Sequence, residues 1–263
     1  MPRGGRESLS ALRDRARSLQ PPAALRALAA ELSGDPRRGA EALRRWLGRE
    51  LELRRREARR QQGLFSRTRR LERSGAPLVA GVDEVGVGPL AGPLVAAAVI
   101  LPARVELPGL DDSKRLTRAR REQLASRIRE QAVAIGVAEI APEEIDRLNV
   151  YRAGLEAMRR AVCALAPAPD HLLVDARSVP GVAMPQTAIV GGDAREGPIA
   201  AASIVAKVHR DALMRAAHAR HPGYGFDRHM GYPTAEHLAA LRLLGPSALH
   251  RRSTAPVAQL LQG

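Results

Sequence analysis

The sequence predicts an α/β fold, a mixed sheet flanked by helices, with a basic helical extension ahead of it. Three observations predict it. Short apolar runs at 78–83, 94–101 and 131–140 read as strands bounded by glycine, proline and polar residues. From residue 118 onward, helical spacing alternates with two more strand-like runs, "HLLVD" (171–175) and "TAIVGGD" (187–193), the order of a layered α/β domain. Residues 1–76 show helical spacing only, and hold 20 arginines, no lysine and 9 acids, so +11 of the chain's +14 net charge lies there.

In the extension, Asp35 and Pro36 read as an N-cap and a first-turn proline. Leu43, Trp46, Leu47 and Leu51 then fall on one helical stripe before the run "LRRREARRQQ". The stripe is too short for a strong core, so this piece is expected to dock on the main domain or on nucleic acid. Its charge suits a polyanion-binding appendage, and suits equally an arginine-rich solvated face. The turn "RSGAP" (73–77) marks the junction, giving an extension at 1–76 and a catalytic-sized domain with a C-terminal helical part at 77–263.

After the first two strands, "TRARREQLASRIRE" reads as a helix capped by Thr117. The third strand follows, then one long helix, "APEEIDRLNVYRAGLEAMRRAVCALA", with Pro142 and two glutamates in its first turn, where the helix dipole favours them. "ARSVPGVAMPQ" is a turn between the last two strands. The helix "IAAASIVAKVHRDALMRAAHAR", a Gly/Tyr loop and the helix "TAEHLAALRLLG" complete the pattern, without internal repeats. If "HLLVD" returns beside the first strand, Asp83 and Asp175 come together.

Composition narrows the chemistry. One cysteine, Cys163, excludes disulfides and thiolate zinc sites. No signal-like stretch opens the sequence and no run nears the roughly 18 apolar residues of a membrane span, so a soluble cytoplasmic protein without membrane attachment is expected. Of 42 basic residues only Lys114 and Lys207 are lysines, which points to a need for a compact point charge at those two places, or to chance.

The candidate site residues are acids. In "GVDEVGVGPLAGP" (81–93), Asp83 and Glu84 are adjacent inside an apolar run, where unpaired carboxylates are expensive. Side chains of neighbours in a strand point to opposite faces, so the two acids share a ligand only if the strand breaks, and Gly86 and Gly88 are expected to break it. Asp175 and Asp193 close two further strand runs, at the ends where α/β sheets form sites. Three or four carboxylates without cysteine or clustered histidine favour hard ions, Mg²⁺ or Mn²⁺. Two such ions suit phosphodiester hydrolysis. Taken singly, each aspartate would also serve as a turn or cap residue. The glycines do not make a dinucleotide loop: the spacing is G-x-G-x-x-x-G, Pro89 interrupts it, and a strand-like run follows.

At these residues the chain resembles a family, bacterial ribonuclease HII. The likeness covers about residues 78–257 through seven segments in order: "GVDEVGVGPLAGP", "DDSKRLT", "IDRLNVYRAGLEAMRRAV", "LLVD", "GGDAREGPIAAASIVAKVHRD", "HPGYGFDRHMGYPTAEH" and "HRRSTAPV". It implies a ribonuclease H-like mixed sheet. The implied activity is endonucleolytic cleavage of RNA in RNA-DNA hybrids, and 5′ to ribonucleotides embedded in duplex DNA, by two metal ions with 5′-phosphomonoester products. The expected setting is ribonucleotide removal in DNA replication and repair, by a monomer acting on hybrid and on ribonucleotide-containing duplex. Asp83, Glu84, Asp175 and Asp193 would be the catalytic metal ligands for Mn²⁺ or Mg²⁺. Gly86-Val87-Gly88 with Tyr232 would sense the 2′-OH that separates RNA from DNA. Ser113 and Lys114 would contact phosphate, as would Arg251, for which ordinary surface charge is an equal reading. Lys207 and Asp211 form an i,i+4 pair or take part in the site.

The chain departs from the family pattern at three places. Val87 stands where arginine is usual, "VDAR" replaces V-D-G, and Thr254 stands where an aromatic is usual. Type 3 relatives carry a small residue at the position of Val87 and favour longer RNA tracts, but this chain lacks their strand-rich N-terminal domain. Two alternatives follow from Val87: a hybrid nuclease without preference for single ribonucleotides, or a hybrid-binding protein with reduced or lost catalysis.

Overall fold

Helical spacing in the extension becomes three helices, α1 (Leu9–Ser18), α2 (Pro22–Glu31) and α3 (Ala40–Leu64). The structure, a computed structural model, describes residues 7–19 and 22–262. Ser8 caps α1 by accepting from the Ala11 N–H at 3.1 Å. Leu12, Leu25, Leu28, Leu43, Leu47 and Leu51 close a small core among the three helices. No helix starts at Pro36: the Asp35 carboxylate takes the backbone N–H and the guanidinium of Arg37, which fixes a turn, and α3 begins at Ala40.

The chain divides into two compact units at 62/63, fourteen residues earlier than the expected junction at 76. Residues 63–76 belong with the sheet because their apolar side chains are buried there. Leu64 and Phe65 join the core around Val95 and Ala201, and Leu71, on helix α4 (Ser66–Arg73), packs with Val79 and Ile199. The glycine turn therefore ends a helix of the second unit without dividing the units.

The second unit is built on five strands, β1 (Val79–Val85), β2 (Leu94–Ile100), β3 (Ala134–Ile140), β4 (His171–Asp175) and β5 (Gln186–Ile189). They lie in the order β3-β2-β1-β4-β5, antiparallel among the first three and parallel from β1 to β5. Every residue of β2 is buried, as a central strand covered on both faces requires. Helices α5 (Arg118–Gln131) and α8 (Gly197–Arg220) cover one face, meeting Val95, Ala97 and Val99; α6 (Pro142–Leu148) and α7 (Val150–Cys163) cover the other, meeting Ala96, Ala98 and Ile100. Gly81 permits a close approach, since a Cβ there would fall on the Pro198 carbonyl, so the start of α8 lies directly on β1.

The long helix expected at 141–166 is two helices. Asn149 adopts φ 66 and ψ 159, which breaks the helix there, and its side chain caps α7 by accepting from the Arg152 N–H. The run 187–193 is a strand only to Ile189, and Asp193 sits instead on a 3₁₀ turn, Gly192–Ala194, that leads into α8. Beyond α8 come a short α9 (Phe226–His229), α10 (Ala235–Leu244) and α11 (Ala255–Gln262), the last not anticipated from sequence. Leu90 packs with Leu241 and Val257, and Ala91 with Met214, Tyr224 and Phe226, so the loop 86–93 is embedded in this helical part.

Candidate active site

Parallel pairing of β1 with β4 runs from Val79–His171 to Val82–Val174, and the next step in register places Asp83 beside Asp175. The expected meeting of these two acids follows from that adjacency. Contrary to expectation, β1 does not break between Asp83 and Glu84: antiparallel pairing with β2 continues regularly through Val85–Val95. The two carboxylates therefore leave opposite faces. Asp83 is buried toward α8 and accepts from Ser203 Oγ and from the Glu84 N–H, at 2.8 Å for the latter. Glu84 faces Arg177, with Oε1 at 3.4 Å from its Nη1.

Asp175 accepts from the Gly192 N–H at 2.7 Å, which draws the 3₁₀ turn, and with it Asp193, to the end of β4. Asp193 is buried and accepts from Lys114 Nζ at 3.1 Å. The four sequence-predicted acids thus gather at one end of the sheet, and one of the two lysines stands among them.

Burial raises Asp83 well above the ordinary carboxylate range, with the Glu84 charge adding to it. Burial also raises Glu84 and Asp175, against the opposing pull of Arg177 on both. Lys114 is raised: burial pulls it down, and the hydrogen bond and charge of Asp193 outweigh that. A carboxylate raised by folding costs stability when it ionises at neutral pH, and a bound cation would relieve that cost. Glu84 Oε2 is moreover buried without a hydrogen-bond partner. An all-oxygen donor set in charge deficit, with an orphaned carboxylate oxygen, fits a hard divalent ion. Among the described residues no three His, Cys, Asp or Glu side chains stand close enough to hold an ion as they are.

The expected substrate-reading residues divide into two sets. In the Gly86–Gly88 loop Val87 and Gly88 are exposed and Gly86 is buried, and Tyr232 reaches the loop: a Cβ on Gly88 would stand 3.6 Å from the tyrosine ring. Val87 and Tyr232 are each 37% exposed, and the Leu90 N–H to Gly231 carbonyl bond (2.8 Å) ties their segments together. Gly86 requires φ +96, and a Cβ there would fall on Arg210 Nε. Ser113 and Arg251 lie inside instead. The Ser113 hydroxyl is buried against Ser203 Oγ at 2.9 Å, one step behind Asp83. Arg251 is 1% exposed and donates to the Gly92 carbonyl (3.0 and 2.9 Å) and the Val87 carbonyl (3.2 Å). This corrects the expected phosphate contact: Arg251 braces the loop from beneath, because a glycine-rich turn leaves carbonyls that need donors. Burial and the Arg210 charge lower its pKa to about 9. Lys207 and Asp211 form the plain i,i+4 pair, at 2.7 Å.

Sequence reasoning missed Arg210. It is fully buried on α8, donates to the carbonyls of Pro93 (2.8 Å), Met230 (2.9 Å) and Ala91 (3.1 Å), and packs its guanidinium 5.9 Å from the centre of the Tyr232 ring. It joins the glycine loop to the tyrosine. An arginine in an arginine-rich helix carries no sign of this in sequence.

The crystal structure of ribonuclease H2 from Pyrococcus horikoshii OT3 aligns with a TM-score of 0.58 at 25% identity, covering 70% of this chain and 97% of that one. Fold and acid cluster together define a ribonuclease H-like hydrolase. In sequence, the model of the family described as Ribonuclease HII matches residues 80–255. The ribonuclease HII of Geobacillus thermodenitrificans is 52% identical over 230 residues, 88% of each chain; that of an Anaeromyxobacter species is 51% identical over 248 residues, 94% of this chain and 77% of the other. The chain belongs to the ribonuclease HII family, and is a metal-dependent ribonuclease of the kind that cleaves RNA in RNA-DNA hybrids.

Proposed function

We propose that Asp83, Glu84, Asp175 and Asp193 hold two divalent ions, Mn²⁺ or Mg²⁺, and that the chain cleaves both RNA-DNA hybrids and duplex DNA 5′ to an embedded ribonucleotide. The observation that carries this reading is the gathering of four acids, three of them raised by burial, at one end of the sheet in charge deficit. When bound, such ions activate a water and stabilise the leaving oxygen. The protein's own part is positional. Ser203 and the Glu84 N–H hold Asp83, the Gly192 N–H holds Asp175, and Lys114 holds Asp193. Gly86, Val87 and Gly88, with Tyr232 against them, form the surface on which a 2′-OH would be read. The Val87 carbonyl accepts from Arg251, which fixes the loop's main chain for this task.

The test is cleavage of two duplexes, one with a single ribonucleotide and one with an RNA tract, in Mn²⁺ and in Mg²⁺. Wild type is expected to cut both at a 5′ phosphodiester. Asp83→Asn is expected to lose at least 10³-fold in rate, on the order of 4 kcal/mol, while remaining folded. Undiminished cleavage by that variant would remove Asp83 from the site.

A further inference from the structure

Arg177 lies outside every segment through which the family likeness runs, yet its guanidinium stands within the acidic centre. Ala176 takes a left-handed conformation (φ 55) that turns the chain sharply after β4, and the Arg177 N–H returns to the Asp175 carbonyl at 2.6 Å. The side chain then folds back to the sheet end. Its Nη1 is 3.4 Å from Glu84 Oε1 and buried, without a hydrogen bond to any partner. The guanidinium carbon packs 5.0 Å from the centre of the Tyr151 ring, an exposed aromatic on α7. One turn along the same helix Gly154 leaves the room, since a Cβ there would stand 3.2 Å from Nη1. The Glu84 side chain is only 11% exposed and that of Arg177 26%, so the pair is partly withdrawn from solvent screening.

We propose that Arg177 is the resident counter-ion of Glu84: a cation held in place that neutralises this acid in the metal-free protein, competes with a divalent ion for its charge, and thereby sets the metal concentration at which the centre loads. The inference rests on Glu84 being a metal ligand. The pair lacks hydrogen-bond geometry, so parting it breaks no bidentate fork, whereas two cations drawing on one partly buried carboxylate repel each other strongly. Tyr151 supplies the attraction that keeps the guanidinium there through the face of its ring.

The experiment is Mn²⁺ binding to the chelator-stripped full chain, without substrate, by calorimetry and by the rise in Tm with Mn²⁺. Arg177→Met is expected to tighten Mn²⁺ about tenfold, near 1.4 kcal/mol. Arg177→Lys, which keeps the charge, is expected to stay within about twofold of wild type. Glu84→Gln is expected to weaken binding about tenfold, and in that background Arg177→Met is expected to give no gain, because the shared carboxylate is gone. Should Arg177→Met fail to fold, Tyr151→Leu frees the guanidinium without touching an acid, and a severalfold gain in affinity is expected from it. If Glu84→Gln binds Mn²⁺ like wild type, Glu84 is no ligand and both readings fall. If Glu84→Gln weakens binding but Arg177→Met leaves it unchanged, the counter-ion role alone is overturned. That role is likewise overturned if Arg177→Lys tightens as much as Arg177→Met.

Discussion

Val87 is the residue at which this chain's specificity is open to measurement. Its side chain is half out in solvent beside Tyr232, and its carbonyl is already held by Arg251. Putting arginine there adds a guanidinium next to the tyrosine and any phosphate that passes it. A charge-assisted contact of that kind contributes about 1.5–3 kcal/mol. Val87→Arg is therefore expected to raise the ratio of single-ribonucleotide to RNA-tract cleavage about tenfold, read as kcat/KM on the two duplexes. An unchanged ratio would mean that the side chain at this position takes no part in the reading. The four acids are legible as residues because carboxylates in apolar runs need a reason to be there. Their orientation is not: the regular pairing of β1 with β2 sends Asp83 and Glu84 to opposite faces, and glycines two positions downstream do not alter that. Arg251 and Arg210 carry no such signal, since only burial distinguishes a structural guanidinium from a solvated one.

Elements explain why those arginines matter. The loop 86–93 has few side chains of its own, and its carbonyls are taken from α8 by Arg210 and from the segment before α11 by Arg251. Arg251→Met is expected to cost about 2–4 kcal/mol of stability, because it leaves buried carbonyls without donors. The salt slope of hybrid binding should be unchanged, whereas losing a phosphate contact would lower it by about 0.9. A second brace runs through histidines. The Ser247 N–H donates to His250 Nδ1 at 3.0 Å, which leaves His250 Nε2–H to donate to His237 Nε2 (3.1 Å) and His237 Nδ1–H to donate to the Tyr232 carbonyl (2.9 Å). The chain works only with both rings neutral. Burial and the neighbouring His237 lower His250 to about 4, and burial lowers His237 as well. For a depressed histidine the stabilisation is complete above the unfolded value of about 6.5 and is lost as pH falls toward about 4, by up to about 3 kcal/mol. Tm is expected to drop across that window, and His250→Gln should flatten the slope. The strands and helices that position all this are readable from periodicity and from Thr117, which caps its helix. The break at Asn149 is not, because a positive φ leaves no trace in hydrophobic spacing.

At the scale of the whole molecule, charge and folding separate along different lines. Residues 1–62 contain 16 arginines and 8 acids and have a leucine core of their own, while residues 63–263 enclose the sheet and every candidate site residue. Deleting 1–62 lowers the net charge from +14 to +6. The remaining unit is expected to fold and cleave, but to bind hybrid about tenfold more weakly at 0.1 M salt, with a shallower salt dependence. If affinity and slope are both unchanged, the arginines of the extension serve solvation. Composition shows that an extension exists, and the glycine turn misplaces its end, because Leu64, Phe65 and Leu71 reveal their allegiance only through the core they enter.

The near absence of lysine has a practical consequence. Both side-chain amines of this protein sit on acids, Lys114 on Asp193 and Lys207 on Asp211, and only Lys114 is well exposed. An amine-acylating probe applied to the native protein thus has one accessible side chain to find. A label there would sense the neighbourhood of Asp193 without any engineering of the chain.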